Sequence, residues 1–488
     1  MESITINHNN GRQLMTLQNV RKRHIFNVGI AVLPVVSAAY WPIILFTLPV
    51  LILTLCVGMN LPLAIVILFG FFDHATLFFL IADMPFTAEL IQGILLVIIL
   101  SYFLLIGGFR IPAFILVAVF FGFSILHGLF VGASAYKIVY GLRNLLVFLG
   151  LMYVVLVALP SWRPIHSFAL ILLFALNVFF HFLQTAVGFE QYFFNLEIDK
   201  FFYDRGIAEI GEIPIGFRTL DIFTGDFTYR ALGFFLSPDK AAYLFALGCL
   251  IVFGVLNNKY NINFFISGII ALLLAMAISL FQVKAVLLQF MIFYLSFFLI
   301  VHFHIYSYLV RGAIISLLLL LGVFSVLVYA PGHMLASSGA IQHYWGLVTP
   351  FFNSSVVSID FYIGNGFGTG GTLGGVDSLG AQLRKRDVGG ESFVGALFYQ
   401  SGIIGVLLWL YAFFSVDRIA RRRLDSVGKS DMRYAYYSSL LTAVSFTALF
   451  SEANLSLFQS ATFAAAGTFF LSLYSNPKPS SVKRMMRI

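Results

Sequence analysis

The chain has 488 residues, of which 60% are hydrophobic and only 10% are charged. Soluble domains carry about 25% charged residues. The composition therefore excludes a protein whose surface is covered by water, and it predicts one whose outer surface faces lipid. The net charge of +8 calls for no nucleic-acid partner, because basic loops beside an anionic leaflet account for most of it. Cys56 and Cys249 both lie in apolar runs, so no disulfide framework is predicted.

Apolar runs recur along most of the chain, and a bilayer-crossing helix needs roughly 20 such residues. We predict an all-α polytopic membrane protein with about 14 (12–14) transmembrane helices. The first two spans are short and could form one kinked helix. The predicted spans lie near residues 26–40, 41–57, 60–80, 89–107, 112–133, 139–159, 164–186, 232–256, 262–281, 284–303, 312–330, 394–416, 435–452 and 456–474.

Basic residues set the predicted orientation, because cytoplasmic segments are enriched in Lys and Arg. The N-terminal segment 1–25, the loop 416–435 and the tail 475–488 are all basic, so we expect all three in the cytoplasm. Between the two termini we expect a single integral membrane domain, residues 26–474. The other cytoplasmic connections are short and no Walker A sequence occurs, which excludes a pump driven by its own ATP hydrolysis.

Two long polar segments, about 187–231 and 331–393, fall on the non-cytoplasmic face of this map. Long loops in a bundle whose other connections are short often have a function. The second segment contains "GNGFGTGG", residues 364–371, whose glycines match the dinucleotide fingerprint G-x-G-x-x-G. Its predicted location and the lack of a following βαβ pattern argue against a nucleotide. Two interpretations stay open: a tight turn that approaches a glycan or pyrophosphate through bare amides, or simple flexibility between ordered pieces.

Cations at the outer ends of predicted spans are candidates for binding an anion. Arg230 lies where the first long segment re-enters the membrane, and Lys284 lies at the outer end of its span. Arg offers a bidentate fork to phosphate and Lys a point charge, so together they predict one anion site, with snorkelling to headgroups as the alternative. Arg384 and Arg386, with Lys385 between them, run against the topological bias and predict a negative partner.

A carboxylate also stands at this membrane surface. Glu391 precedes the span 394–416 and could act as a general base if it reaches a substrate hydroxyl. The alternative is an acid that complements a helix dipole, with Ser392 nearby. Asp387 and Asp239 stay open as the base.

Other polar residues offer weaker signals. Asp73 and His74 lie inside a span and could form a proton relay. Arg143 could pair with an acid or reach a lipid phosphate, and no His, Cys and Asp cluster has metal-ligand spacing. The candidates for stacking on sugars are Tyr229, His343, Tyr344 and Trp345.

The segment "YRALGFFLSPDKAAYLFALG" resembles a stretch of the O-antigen polymerase and O-antigen ligase superfamily. That stretch commonly reads Arg-x-x-Gly-x-Phe-x-x-Pro-x-x-x-Gly. Lys284, in "AISLFQVKAVLLQFMIFYL", falls in the following span, where the family usually has Arg; this departure keeps the charge but loses the fork. The matching residues of the first stretch are Arg230, Gly233, Phe235 and Pro238.

Two further stretches resemble the same family. "YIGNGFGTGG" is similar to the glycine-rich segment of its large periplasmic loop, and "GGESFVGALFYQSGIIGVLLWL" is similar to the junction of that loop with the next helix. Ligases usually carry His-Asn at this junction, whereas this chain has Glu391 and Ser392. The departure favours a polymerase.

The resemblance implies a multi-pass glycosyltransferase of the bacterial inner membrane with the helical glycosyltransferase C-type fold and two large periplasmic loops. It would join polyprenyl-pyrophosphate-linked repeat units at the periplasmic face in O-antigen, capsule or exopolysaccharide biosynthesis. No cofactor or metal is expected. The expected partners are the lipid-linked donor and acceptor, membrane lipids, a chain-length regulator and a flippase.

The resemblance also assigns roles to the candidate residues. Arg230 and Lys284 would bind the leaving pyrophosphate, and Glu391 would act on the acceptor hydroxyl. Arg384 and Arg386 would hold a second pyrophosphate or an acidic sugar. The alternatives are a ligase that transfers finished polymer to lipid A–core, and a flippase or solute transporter.

Overall fold

The computed structural model describes a subset of the chain, and within it helices dominate. The described residues are 111–133, 218–220, 227–229, 238–260, 264–279, 283–329, 349–352, 354–370, 392–425 and 431–450, with single helical residues between 135 and 156 and between 463 and 470. The helices are α1 (Pro112–Phe130), α2 (Pro238–Tyr260), α3 (Phe264–Ser279), α4 (Lys284–Phe303), α5 (Tyr308–Tyr329), α6 (Ile359–Ile363), α7 (Phe393–Asp425) and α8 (Asp431–Phe450).

Three segments in the described part are long and apolar enough to cross a membrane: Pro112–Phe130, Ala285–Phe303 and Phe393–Arg422. Large apolar side chains remain exposed on this bundle; Phe265, for example, is 75% exposed. Such a surface suits lipid contact. A helical membrane protein is therefore confirmed, whereas the number of about 14 spans stays a prediction. Shorter apolar helices cover Ala242–Asn257, Phe265–Ser279 and Tyr308–Leu321.

Local sequence signals set several helix ends. Pro112 occupies the first turn of α1, where its missing N–H costs nothing. The helix α4 ends at His304, which adopts the left-handed conformation in which many helices terminate. The helix α7 begins after Ser392, whose hydroxyl oxygen accepts the Gly395 N–H at 3.1 Å.

Aromatic packing joins the central helices. The ring of Tyr436 on α8 stacks on Phe297 of α4, with centroids 4.6 Å apart, and on Phe470, with centroids 4.4 Å apart. Phe253 of α2 makes an edge contact with Phe297 at 5.5 Å. Such pairs contribute about 0.5–1.5 kcal/mol each beyond the burial of their area. The abundant Phe residues thus serve both the lipid-facing surface and the core.

A short hairpin lies within the predicted outer loop 187–231. Its strands β1 (Arg218–Leu220) and β2 (Phe227–Tyr229) are antiparallel, with Arg218 opposite Tyr229. Threonine and aromatic residues favour this extended pairing. The hairpin was not predicted, and it ends directly before Arg230 in the sequence.

Candidate functional site

Most of the predicted site residues fall outside the described residues. Two are described in part: Tyr229 is the last residue of β2, and Lys284 is the first residue of α4. Asp239, an alternative base, is the second residue of α2. The structure therefore does not test whether the predicted residues meet. Those outside the description are Arg143, Arg230, His343, Arg384, Arg386 and Glu391, together with the weaker candidates Asp73, His74, Tyr344, Trp345, Lys385 and Asp387.

The helices α2 and α4 are packed neighbours that begin at the same end of the bundle. Phe253, in the second half of α2, contacts Phe293 at the middle of α4 and Phe297 in its second half, with centroids 6.2 and 5.5 Å apart. The first halves of both helices line one shared cavity. The two helices consequently run in the same direction, and Pro238 and Lys284 start them side by side.

The cavity between α2, α4 and α8 has a volume of ≈ 30 Å³ and is mainly apolar, with Tyr243 and Gln289 supplying the polar groups of its wall. A cavity needs roughly 10–15 Å³ in this measure to hold one water. A sugar ring or a prenyl chain is much larger. The cavity is therefore a small packing void below Lys284, and it is not a substrate pocket.

The junction that contains Glu391 leads directly into a helix. Ser392 is fully buried, its carbonyl accepts the Ala396 N–H at 2.9 Å, and its hydroxyl accepts the Gly395 N–H. Ser392 is thus a capping residue rather than a group that faces substrate. Glu391 immediately precedes this helix start, where the positive end of the dipole favours an ionised carboxylate.

The glycine-rich segment has a structural role that the sequence analysis missed. Gly364, Gly366 and Gly368 have φ angles of 73°, 89° and 85°, which side chains rarely tolerate. A Cβ added at Gly366 would lie closer than 3.0 Å to the backbone of Gly128. The glycines therefore allow the backbone of this segment to touch the backbone of α1.

The amide groups of this segment are bonded to the bundle. The N–H of Gly366 donates to the Gln400 carbonyl and the N–H of Phe367 to the Ser124 carbonyl, at 2.9 and 3.0 Å. The N–H of Gly368 donates to Oε1 of Gln400 at 2.9 Å. The predicted tight turn is confirmed for residues 364–368, but their amides are bonded rather than bare, and the segment is packed rather than a flexible connection.

The same segment fills a break in α7. Gly402, inside this helix, has φ 63° and ψ −172°, so the helical hydrogen bonds are interrupted there. The carbonyls of Tyr399 and Gln400 accept the N–H groups of Asn365 and Gly366, each at 2.9 Å. Backbone groups left unpaired within a membrane are costly, so the glycine segment satisfies the carbonyls that the break releases.

A buried charged cluster lies at the other end of α4, α5, α7 and α8. Arg311 is fully buried, and its Nη1 donates to the carbonyls of Ile305 and Tyr306 at 3.3 and 3.1 Å. Its Nη2 donates to the Ser438 hydroxyl. Ser438 in turn donates to Oδ1 of Asp417 at 2.8 Å.

Tyr434 completes this Arg311–Asp417 cluster. Its hydroxyl lies 3.2 Å from Oδ2 of Asp417 and 3.3 Å from the Tyr306 carbonyl. Asp417 is only 8% exposed, so its carboxyl oxygens are satisfied by the buried hydroxyl groups of Ser438 and Tyr434 rather than by water. The cluster joins the connection before α5 to α7 and α8. These hydrogen bonds tie α5, α7 and α8 together at this end of the bundle.

This cluster was not predicted from the sequence. Arg311 lies directly before the predicted span 312–330, and Asp417 lies directly after the predicted span 394–416. An acid at the end of an apolar span is a signal that could have drawn attention to it. Its partners, however, come from helices distant in sequence.

These features define a helical membrane protein with a broken, loop-filled helix at one end and a buried charge cluster at the other. Comparison with protein-family models gives no match to the chain, and comparison with curated proteins gives none either. The resemblance to the O-antigen polymerase and ligase superfamily therefore stays a prediction.

Proposed function

We propose that the protein is a polysaccharide polymerase, a metal-independent glycosyltransferase that joins polyprenyl-pyrophosphate-linked repeat units. The observation that supports this proposal is the parallel, adjacent start of α2 and α4. Lys284 begins α4, and Arg230 precedes Pro238 by a short segment. In this proposal Arg230 lies at the same end of the bundle as Lys284, and the two cations would suit a pyrophosphate, whose charge must be neutralised before it can leave.

The proposed reaction is a displacement at the anomeric carbon of the donor. The bond between C1 and the pyrophosphate oxygen breaks, and a hydroxyl oxygen of the acceptor repeat unit bonds to C1. Arg230 and Lys284 stabilise the charge that develops on the departing pyrophosphate. Glu391 orients the acceptor hydroxyl and takes its proton. The lipid pyrophosphate then leaves as the second product.

The remaining candidate residues would bind substrate. Arg384 and Arg386 would hold the pyrophosphate of the acceptor or an acidic sugar. Tyr229, at the end of the hairpin, and His343 would contact sugar rings, and Arg143 a lipid phosphate. In this proposal the reaction takes place at the periplasmic face, on the side of the bundle where α2, α4 and α7 begin.

A flippase or solute transporter is the second candidate, and the break in α7 is the observation that favours it. Transporters use broken helices to bind substrate near the membrane midplane. In this chain, however, protein N–H groups occupy the carbonyls that the break frees at Tyr399 and Gln400. A filled break of this kind supports packing better than transport.

We expect Arg230→Ala to abolish long polymer while the protein still inserts into the membrane. Losing one strong contact to the developing charge costs about 2.7–4 kcal/mol in the barrier, or 10²–10³ in rate. Arg230→Lys should recover part of the activity, because it restores the charge but not the fork. The measurement is polymer length on gels at matched protein levels. Normal chain length in Arg230→Ala would remove the basis of the assignment.

We expect the contribution of Lys284 to the polymerisation rate to depend on its positive charge alone. Lys284→Ala should lower the polymerisation rate by about 10²-fold or more, whereas Lys284→Arg, which keeps the cation, should retain most of it. Both substitutions preserve good helix formers at the start of α4, so the fold should survive. Initial rates with purified enzyme provide the measurement. Wild-type activity in the alanine variant would show that the cation plays no part.

A single assay separates the candidate functions. Purified protein in detergent is incubated with defined lipid-linked repeat units, with and without a lipid A–core acceptor. A ladder of products supports the polymerase, and transfer only to the core acceptor supports the ligase. The absence of product, combined with movement of the lipid-linked unit across vesicles, supports the flippase.

A further inference from the structure

The last turns of α7 present arginines on the face that meets lipid. Leu407 and Tyr411 are 58% and 47% exposed on the apolar part of this helix. Arg418 and Arg422 follow at spacings of seven and four residues, and both are exposed. Side chains at such spacings share one helix face. The lipid-facing stripe therefore continues directly into two guanidinium groups.

These arginines are available for a ligand. Among the described residues, the side chains of Arg418 and Arg422 form no hydrogen bond or ion pair. The carboxylate next to Arg418, that of Asp417, points into the buried cluster and is bonded to Ser438 and Tyr434. It is therefore committed to that cluster. The side chain of Asp425, the last residue of α7, lies outside the described part of the chain.

A third arginine, Arg421, borders this pair on one side. The guanidinium carbon of Arg421 lies 5.2 Å from the centroid of the Tyr306 ring, within cation–π distance. The carbonyl of Tyr306 in turn accepts hydrogen bonds from Arg311 and Tyr434. A ligand held by this turn of α7 would thus contact the helix that supports the Arg311–Asp417 cluster.

We propose that Arg418 and Arg422, with Arg421 beside them, form a binding site for the headgroup of an anionic phospholipid. The apolar stripe above them receives the acyl chains, and the guanidinium groups receive the phosphate, to which Arg binds bidentately. Charge complementarity selects the occupant: a zwitterionic headgroup brings its own ammonium, whereas an anionic one leaves its phosphate free. This site is at the opposite end of the bundle from Lys284 and does not depend on the proposed reaction.

The test uses the full-length protein in nanodiscs of phosphatidylcholine with increasing fractions of phosphatidylglycerol. We expect the melting temperature to rise and saturate with phosphatidylglycerol. Native mass spectrometry should detect phosphatidylglycerol that stays bound after delipidation. Arg418→Gln/Arg422→Gln should weaken this binding about 30-fold. Each basic residue near an anionic surface contributes about 1 kcal/mol to binding, and the loss of two such contributions corresponds to this factor. Both side chains are exposed, so the variant should fold.

The matched control removes the same number of charges elsewhere. Arg484→Gln/Arg487→Gln, in the C-terminal tail, should leave phosphatidylglycerol binding unchanged. Equal binding of phosphatidylcholine, or an undiminished response in the Arg418→Gln/Arg422→Gln variant, would overturn the proposal. Inorganic phosphate and pyrophosphate, added alone in detergent, are a separate arm. Stabilisation by either to the same extent as by phosphatidylglycerol would show a free-anion site and would also overturn it.

Discussion

Arg311→Met should destabilise the bundle by about 3–5 kcal/mol, because removal of one partner leaves a buried charge uncompensated. Arg311 is fully buried, and Asp417 would keep the hydroxyls of Ser438 and Tyr434 as hydrogen-bond partners but lose its fully buried cation. The carbonyls of Ile305 and Tyr306 would lose their guanidinium donor as well. The measurement is unfolding of the purified full-length protein in mixed detergent and SDS micelles.

A second variant separates lost charge balance from lost volume. Arg311→Met/Asp417→Leu replaces both charges by apolar groups and should recover much of the stability, because a buried ion pair is often worth little against a well-packed apolar pair. Leu309→Met, at a side chain of α5 that is 68% exposed, is the control and should change stability by less than about 0.5 kcal/mol. The single variant Asp417→Leu completes the comparison. If the double variant lost as much free energy of unfolding as Arg311→Met and Asp417→Leu together, the cluster would not act as a charge pair.

Hydropathy alone located the described spans closely. The predicted spans 284–303 and 262–281 correspond to α4, Lys284–Phe303, and α3, Phe264–Ser279. Their agreement has a physical origin: continuous apolar runs end at polar residues, and a membrane helix must satisfy its own backbone. Proline at the start of α1 and α2 added a local signal.

The break in α7 and the hairpin could not be predicted in the same way. Around Gly402 the hydropathy remains high, so a window average reads one uninterrupted span. What stabilises the break is a set of hydrogen bonds from residues 365–366, which are distant in the sequence. The strands of the hairpin are three residues each and too short for an alternating pattern to stand out.

The candidate site was predictable to different degrees. Sequence identified residues at helix starts, and the structure locates Lys284 at such a start beside α2. The sequence could not show that Ser392 caps α7, because that role depends on a hydrogen bond from the backbone of Gly395. It also could not show that Arg311 and Asp417 share Ser438, since three separate helices supply these residues.

Gly402→Ala should strongly disrupt the region where α7 meets the glycine segment. The backbone at Gly402, with φ 63° and ψ −172°, lies in a region that is essentially restricted to glycine, and a side chain there costs on the order of 1–3 kcal/mol. A Cβ would also lie closer than 3.0 Å to the backbone of Tyr362 and Ile363. Unlike a flexible side chain, this backbone cannot move aside without displacing α6. Gly366→Ala, which meets the backbone of Gly128, should act in the same direction.

Gly122→Ala is the matched control, because the same methyl group is added in the interior of α1 where no atom lies within 4 Å. It should stabilise the protein by about 0.5–1 kcal/mol through the higher helix propensity of alanine. Thermal unfolding in detergent compares the three variants. If Gly402→Ala were as stable as Gly122→Ala, the filled break would contribute nothing to the fold.

Hydrogen exchange locates the damage. The Gly366 N–H, bonded to the Gln400 carbonyl at 2.9 Å, should be protected in the wild-type protein and in Gly122→Ala. In Gly402→Ala a straightened α7 would return the Gln400 carbonyl to its ordinary helical partner and release this N–H, which should then exchange much faster. Protection that persists despite the substitution would mean that the glycine segment is held by its contact with α1 alone. The break in α7 would then be a consequence of that packing rather than its anchor.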